Sequence, residues 1–569
     1  MKSTTTLRAI AGVFIVIASL HAAELPKGAT PVLVAMQTEL DRSMAKLKAE
    51  PVPPYFLSYE ITETNSVSVS SSFGALVSSA ENRRRVLDID LRVGDYKLDN
   101  THQIRGGSTS LADRLSGAVA VPIEDSPDAI RAVLWYQTDK RFKSAVEQLT
   151  KVQTNVKVKV EEDDKSADFC TAPAQSYAEA PLPLRVDRKL LEEKVRRYTA
   201  PFAKYGNIYS AQASIALQVE TRWYVNSEGT RLQVSQPSCR IVISAATKAD
   251  DGMNLPRYET FFAFRPEGLP SEEVVLAKVA TIIADLQALR VAPLVDPYTG
   301  PAILSGRAAG VFFHEVFGHR VEGHRQKNVD EGQTFRKQLN QRVLPETFAV
   351  YCDPTLDHFR TTPLAGFYLY DNQGVQARRV PIVEGGILKG FLMARMPIEG
   401  FPESNGHGRK QAGYAPVSRQ SNLVVESSAP VSPAQLKKML LERVQQQGKP
   451  YGLLFVEIEG GFTLTGRTIP NSFNVLPILV YRVFPDGREE LVRGVDLIGT
   501  PLTAFSKIVA ADDAPGVFNG YCGAESGSVP VSAAAPGVLV DQIEVQKKTK
   551  SQERLPVLPA PLEIPAEKP

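Results

Sequence analysis

The chain has 569 residues, of which 43% are hydrophobic, and this apolar content is sufficient for several packed domains. Its 65 basic and 63 acidic residues give a formal net charge of +2, so composition gives no reason to expect a nucleic-acid partner. Four cysteines in a chain of this length make no disulfide framework, and whether Cys170 and Cys239 pair is left open.

The N-terminal segment has the pattern of a secretory signal peptide. Two basic residues precede an apolar stretch from Ala9 to Leu20, and two alanines follow it closely. Twelve apolar residues are too few to span a bilayer, which needs about twenty. We therefore predict a signal peptide over residues 1–23, a mature protein without a transmembrane segment, and a periplasmic or secreted location. A retained anchoring segment is the alternative.

The following residues predict a mixed N-terminal domain of helices and sheet over residues 24–290. Apolar residues at helical spacing begin at Leu33 and predict a surface helix, whereas the alternation in VLDIDLRV, residues 86–93, predicts a half-buried strand. SEEVVLAKVATIIADLQAL, residues 271–289, predicts another amphipathic helix. An acidic run and an Ala/Pro-rich end predict an exposed linker over residues 155–185.

A proline-bearing stretch at residues 291–301, VAPLVDPYTGP, predicts the boundary of a second domain. Strand patterns dominate beyond it, with hairpin turns predicted at residues 384–386 and 485–487. The predicted fold class is therefore α+β, a mixed N-terminal domain followed by a β-rich C-terminal domain, residues 291–548, which carries the candidate metal-binding helix. Residues 549–569 form a Pro-rich tail that we predict to be disordered.

The most informative stretch is GVFFHEVFGHRVEGH, residues 310–324, which contains three of the seven histidines of the chain. Imidazole is the commonest protein ligand for zinc. A glutamate beside a ligating histidine, here Glu315 after His314, can act as a base toward a metal-bound water. The cluster therefore favours a metal site over the alternative of a buried helix whose histidines are only hydrogen-bonded.

The spacing of the histidines constrains the geometry of such a site. Side chains five positions apart on a regular α-helix diverge by about 140°, so His314 and His319 would face apart. They can share an ion only if the helix unwinds locally, for example at a π-bulge, which Gly318 would permit. His324 repeats the same interval, so spacing alone leaves open which histidines bind metal.

Several motifs together resemble the TldD/PmbA family of metallopeptidases, also called the modulator-of-gyrase family. TldD-type members carry HExxxH, and HEVFGH matches this motif here. Further segments that resemble the family, in family order, are DNQGVQARRVPIVEGGILKGFL at 371–392, SNGHGR at 404–409, PVSRQSN at 416–422 and YCGAESGSVPV at 521–531. PmbA-type partner subunits lack HExxxH, so the chain resembles the catalytic branch.

The resemblance implies that His314 and His319 bind Zn²⁺ with Cys522 as the third ligand, and that Glu315 is the catalytic base. It further implies hydrolysis of extended or unfolded peptides through a metal-activated water. The assembly implied is a homodimer or a heterodimer with a PmbA-like subunit. Two alternatives are a non-catalytic, zinc-holding interaction subunit and a metal-dependent hydrolase acting on other substrates.

One residue departs from the family pattern. TldD proteins commonly have aspartate five residues after the second histidine of the motif, where this chain has His324. An active site with three protein ligands keeps its fourth position for water, so we expect His324 to lie outside the ligand set. His324, His407 and Arg409 are the candidates for shaping the pocket or contacting substrate.

Overall fold

A computed structural model describes residues 25–104, 118–158, 164–327, 331–463, 465–466, 473–548, 555–558 and 561. The predicted signal peptide, residues 1–23, lies outside these ranges, as does most of the predicted tail, residues 549–569. Within the described ranges, no helix is both long and apolar enough to cross a membrane.

Helices occur in both halves of the chain and strands fill most of the remainder. In the described residues the helices are α1 (Pro31–Leu47), α2 (Pro127–Val158), α3 (Arg188–Thr199), α4 (Glu272–Val291), α5 (Gly306–Val316), α6 (His324–Lys327), α7 (Pro433–Gln446) and α8 (Pro501–Ser506). The N-terminal strands are β1 (Pro54–Ser72), β2 (Ala75–Val93), β3 (Val119–Ala120), β4 (Ser176–Ala178), β5 (Ile208–Asn226), β6 (Arg231–Lys248) and β7 (Asn254–Ala263).

The N-terminal strands form one sheet in the order β3-β2-β1-β5-β6-β4, with β7 also paired to β6. Long hairpins build it, and the β5–β6 turn is closed by Asn226, whose side-chain oxygen accepts hydrogen bonds from the amides of Glu228 and Thr230. Helices α1 to α4 cover one face, where side chains such as Leu33 and Ile243 are fully buried. Each such burial stabilises the fold by about 1.5–3 kcal/mol. The predicted surface helix and half-buried strand are both present.

The C-terminal region contains more strands than helix. These are β8 (Tyr298–Leu304), β9 (Phe348–Cys352), β10 (His358–Phe359), β11 (Thr362–Pro363), β12 (Val380–Glu384), β13 (Ile387–Leu388), β14 (Gly408–Arg409), β15 (Val417–Ser418), β16 (Asn422–Ser427), β17 (Gly452–Thr463), β18 (Phe473–Val483), β19 (Glu489–Val492), β20 (Val495–Gly499), β21 (Ile508–Ala511), β22 (Gly516–Ala524), β23 (Gly527–Ala535) and β24 (Val538–Lys547). The predicted α+β class with a β-rich C-terminal region is confirmed. Both predicted hairpins are present, as β12–β13 and β18–β19.

Two sheets in this region enclose the helix that carries the histidine cluster. One is six-stranded, in the order β13-β12-β9-β16-β23-β22. In the other, β17-β8-β24-β20-β18 follow one another and β18 pairs back with β17, so these five strands close into a ring. Helix α5 packs between β17 of the ring and the β22–β23 hairpin of the six-stranded sheet. This position places the helix beside the hairpin that carries Cys522.

The predicted exposed linker, residues 155–185, differs from the structure at its centre, where Asp164, Asp168 and Phe169 are buried. The Phe169 ring meets the edge of Phe56 at 4.9 Å, and the Arg395 guanidinium lies 4.0 Å from its centroid. An aromatic ring stabilises the fold chiefly when it is buried. The Phe169 ring is buried between a side chain of the N-terminal domain and one of the C-terminal domain. The Ala/Pro-rich end, residues 171–185, contains no buried residue, so the expectation of exposure is wrong only at the centre of the segment.

Candidate metal centre

Helix α5 approaches the β22–β23 hairpin unusually closely because small residues line the contact. A Cβ placed on Gly310 would lie 2.9 Å from the carbonyl oxygen of Ala533, and one on Gly306 would lie 2.2 Å from the amide nitrogen of Gly516. On its other side the helix buries Phe312 and Phe313 completely. The glycines therefore let the helix backbone rest on the hairpin.

The helix unwinds between the two histidines of the HEVFGH motif. Helix α5 ends at Val316, and Gly318–Val321 form a 3₁₀ turn. The tighter turn brings the His319 ring to 5.0 Å from the His314 ring, measured between centroids. The predicted local unwinding is present, but as a 3₁₀ turn at the helix end and not as a π-bulge.

Gly318 is required by packing in this turn. A Cβ on it would lie 1.8 Å from Oε1 of Gln420, whose side-chain amide donates to the backbone oxygen of His314 at 3.3 Å. Gln420 thus fixes the end of α5 from the opposite side. Gly318 is needed here because it lacks a Cβ, and not because of the conformational freedom that the sequence suggested.

The structure brings His314, His319 and Cys522 together. One nitrogen from each ring and the sulfur all lie within 4.8 Å of one another, and all three side chains are buried. His319 Nε2 is 3.3 Å from Cys522 Sγ. A nitrogen and a sulfur ligand of one tetrahedral zinc would lie about 3.5 Å apart, given zinc–ligand distances of about 2.0 and 2.3 Å.

The protonation of these groups also fits a metal ion. Burial raises the pKa of Cys522, but His319 and His314 lower it, and the net pKa lies well below the usual thiol range. The Nδ1 atom of His314 is buried without a hydrogen-bond partner among the described residues. Two imidazoles and a thiolate are ligands that zinc prefers, so the residues present fit this ion.

Glu322 orients His319. Its Oε2 accepts from His319 Nδ1 at 3.3 Å and from Arg325 Nε at 2.9 Å. Burial raises the pKa of Glu322, but His319 and Arg325 lower it to about 2 overall, so the carboxylate stays ionised. This arrangement directs Nε2 of His319 toward Cys522, as carboxylates behind metal-bound histidines do.

Arg419 connects Glu322 to the cysteine loop. This fully buried arginine donates to the carbonyl oxygen of Cys522 at 2.6 Å and to Ser526 Oγ at 2.8 Å. Its Nε lies 3.5 Å from Glu322 Oε1. One guanidinium therefore fixes both the backbone beside Cys522 and the carboxylate that orients His319.

Glu315 lies on the same side of the helix end as the three candidate ligands. Its Oε2 is 3.9 Å from His319 Nε2, and its side chain is 12% exposed. A Cβ on Gly461 of β17 would lie 3.1 Å from the Glu315 side chain, so the glycine leaves space for it. The carboxylate can therefore reach a water molecule beside the histidine and cysteine atoms.

The other three candidates lie outside the histidine–cysteine group. His324 Nε2 pairs with Glu525. His407 is fully buried, with Nε2 3.2 Å from Ser421 Oγ, and burial lowers its pKa to about 3. His407 thus has no exposed atom for a substrate. Arg409 lines a pocket between the domains.

Comparison with known proteins identifies the family. Residues 297–547 match the model of the PmbA/TldA metallopeptidase C-terminal domain. A metalloprotease of Archaeoglobus fulgidus is 31% identical over 239 residues, which are 42% of this chain and 51% of that protein. A zinc metalloprotease TldD homolog of Saccharolobus solfataricus is 24% identical over 43% of this chain and 51% of its own length. Residues 297–547 of the chain therefore belong to the TldD/PmbA family.

Solved structures share the fold of this chain over most of its length, beyond the TldD/PmbA region. TldE from Thermococcus kodakarensis is 13% identical with a TM-score of 0.59, and covers 90% of this chain and 100% of its own. A structure from Thermotoga maritima has 17% identity, a TM-score of 0.59 and coverages of 90% and 99%. In contrast, the chain spans about half the length of several of the curated relatives that it matches.

Sequence reasoning about this family member missed the residues that support the candidate ligands. Arg419, Gln420 and Glu525 lie within segments that resemble the family, and Glu322 lies just after HEVFGH, but nothing in their spacing assigned them a role. The available signal was the presence of charged residues in otherwise buried motifs, because buried charges need partners.

Proposed function

We propose that the chain is a zinc-dependent peptidase of the TldD type, which hydrolyses extended or unfolded peptides. The observation that carries this proposal is the convergence of His314, His319 and Cys522 with Glu315 beside them. The matched family model is that of a metallopeptidase domain, and relatives named metalloproteases support the same reaction class.

In this mechanism His314, His319 and Cys522 hold the zinc ion. Zinc, when bound, supplies Lewis-acid polarisation of the scissile carbonyl and lowers the pKa of water. Glu315 accepts a proton from the attacking water and delivers it to the leaving amine. Glu322 and Arg419 keep His319 and the Cys522 loop in place while this proton moves.

The enclosure of the site supports an extended substrate. His314, His319 and Cys522 are each less than a tenth exposed and the Glu315 side chain is 12% exposed, so a folded protein surface has little access to them. A peptide segment without its own tertiary structure can enter where a domain cannot. We therefore propose that folded proteins are poor substrates.

A variant that changes one atom of the proposed base provides the direct test. Metal-loaded parent, Glu315→Gln and a matched control, Glu346→Gln, are each incubated with an unstructured peptide library and analysed by mass spectrometry. Glu346 carries an 85% exposed side chain, so its replacement should leave the rate unchanged. Glu315→Gln should keep about one zinc per chain and lose at least about a hundredfold in rate.

The same experiment separates the alternative roles. A non-catalytic zinc-holding subunit would bind zinc in all three proteins and cleave nothing in any of them. Cleavage that persists in Glu315→Gln would remove this residue as the base. A hydrolase for other substrates would leave the peptide library intact, yet show Glu315-dependent turnover when ester and amide panels replace peptides.

Assembly and location are also proposals. The likeness to TldE supports a dimer, composed of two copies of this chain or of this chain and a PmbA-like partner. Light scattering tests it, and a fully active monomer would contradict it. The N-terminal pattern of residues 1–23 supports export. Fractionation of cells that express the full chain, with N-terminal sequencing of the mature protein, tests this location.

A further inference from the structure

A pocket of about 380 Å³ lies between the two domains, apart from the proposed reaction centre. Glu220 and Arg222 of β5 line it from the N-terminal side, and residues 367–372 with Pro530 line it from the C-terminal side. The volume falls in the range of about 300–1,000 Å³ that is typical of sites for small molecules or single side chains.

Glu220 differs from the other carboxylates of the pocket. Glu179 and Asp371 accept hydrogen bonds from backbone amides, and Asp357 pairs with the neighbouring histidine. Among the residues that the structure describes, Glu220 has no hydrogen bond and no ion pair within 4.0 Å. Burial raises the pKa of its carboxyl, against the lowering effect of Arg222. The pocket therefore contains a half-buried carboxylate that has no direct counter-ion among the described residues.

The basic residues of the pocket do not act as a counter-ion for Glu220. Lys410 Nζ pairs with Glu60 at 2.7 Å, and the Arg222 guanidinium lies 3.6 Å from the same carboxylate. Arg409 donates both of its terminal nitrogens to backbone carbonyls. Arg265 is exposed to solvent. The cations that line the buried part of the pocket are thus already engaged.

Aromatic residues form part of the remaining lining, namely Phe264, Phe367, Tyr368 and Tyr370. Phe264 and Phe367 meet edge to face at 5.7 Å, and Tyr370 lies 5.7 Å from the Tyr177 ring. Ring faces attract ammonium and guanidinium groups, and this attraction grows when water is excluded. A pocket that combines an unpaired carboxylate with aromatic rings in its lining favours an organic cation over an anion or a neutral group.

We propose that this pocket binds an alkyl guanidinium or alkyl ammonium group, with Glu220 as its counter-ion and the aromatic rings around its stem. Such a group is present in the basic side chain of a peptide and in a free small amine. Binding requires no hydrolysis, so the proposal stands independently of the peptidase activity. Because Val529 of the lining is paired with Cys522 in the β22–β23 hairpin, an occupied pocket touches the strand beside the proposed metal centre.

Isothermal titration calorimetry of the full chain with three small probes tests the proposal. n-Butylguanidinium is the cation, n-butylurea is its neutral isostere, and n-pentanoate is an anion of similar length. None has a peptide bond that the protein could cleave. We expect n-butylguanidinium to bind at least about tenfold more tightly than n-butylurea, equivalent to about 1.4 kcal/mol. Equal affinities, or tighter binding of pentanoate, would overturn the proposal.

Two variants and a control locate the binding. Glu220→Gln should remove the preference for the cation, whereas Glu273→Gln, at an exposed position of α4, should keep it. Tyr370→Leu preserves apolar volume and removes the ring, so it should weaken the cation several-fold and leave butylurea unchanged. If Glu220→Gln does not fold, Tyr370→Leu decides the matter. An unchanged preference in a folded variant would refute the assignment.

A final titration separates the two sources of the cation. The Glu315→Gln protein is titrated with acetyl-Gly-Arg-Gly-amide and with n-butylguanidinium. Tighter binding of the peptide identifies a subsite for basic peptide side chains, and equal or weaker binding identifies a site for free small cations. If the peptidase activity itself proves absent, both titrations remain interpretable because they measure binding alone.

Discussion

His324 and Glu525 form a partly buried side-chain pair that joins segments 201 residues apart in sequence. The second oxygen of Glu525 accepts from Arg325 at 2.9 Å, and Arg325 also binds Glu322, the partner of His319. The pair therefore ties the histidine segment to the loop that carries Cys522. It also holds Nε2 of His324 away from the candidate ligand atoms.

His324→Ala should retain about one zinc per chain and lose about tenfold or less in turnover. The reason is that Glu525 keeps its contact with Arg325 and Arg419 still holds the Cys522 loop, while the bond from His324 to this loop is lost. Zinc content by atomic emission and peptide cleavage rates are the measurements. His358→Ala removes an exposed histidine and serves as the control. Loss of zinc in His324→Ala would place this residue in the ligand set.

Cys522→Ser should weaken zinc binding by at least about a hundredfold, because loss of a ligand exceeds the 10–100-fold typical of losing an outer partner. Competition with a chromophoric chelator measures the affinity. Cys170→Ser replaces another free cysteine, which lies outside the candidate group, and should bind zinc like the parent. Full zinc affinity in Cys522→Ser would mean that the thiolate is not a ligand.

The sequence predicted the parts of this site that depend on short spacing. HEVFGH placed two histidines and a glutamate within six residues, and their angular separation on a helix required unwinding between them. The form of the unwinding was not predictable, because Gln420, far along the chain, packs against Gly318. The cysteine was accessible only through the family resemblance, since no local pattern links Cys522 to His319.

In the fold, too, features set by local sequence pattern were predictable, and features set by distant residues were not. Alternation and helical periodicity predicted strands, hairpins and helices that pack one face against a core. The burial of Phe169 was missed because it depends on Phe56 and Arg395, which meet this residue only in the tertiary structure. Segments whose environment comes from another domain cannot be assigned from their own composition.

Gly318→Ala should destabilise the protein by about 1–3 kcal/mol, the range for forcing an extra carbon into a packed core. The new Cβ would displace the Gln420 side chain and break its bond to the end of α5. Gln420→Ala in the same chain should recover part of the loss, so a double-mutant cycle of thermal stability measures the coupling. Gly460→Ala is the control, because a Cβ there meets nothing within 4 Å. Equal losses of stability in Gly318→Ala and Gly460→Ala would contradict this account.

The stability of the protein should fall on acidification partly through His407. Its pKa is held at about 3 in the folded chain because the ring is completely buried, against about 6.5 for a free histidine. The unfolded chain therefore binds one more proton than the folded chain between pH 6.5 and 3. This contribution to stability is present above about pH 6.5 and decreases by up to about 1.4 kcal/mol per pH unit below it.

The variant His407→Gln removes this proton and should flatten the fall in melting temperature between pH 6.5 and 4, even if it lowers stability at neutral pH. His358→Gln, at an exposed and solvated position, should show the same pH dependence as the parent. The comparison is of slopes, so a uniform loss of stability from the lost bond to Ser421 does not affect it. An unchanged slope in His407→Gln would show that this histidine is protonated to the same extent in the folded and unfolded chains.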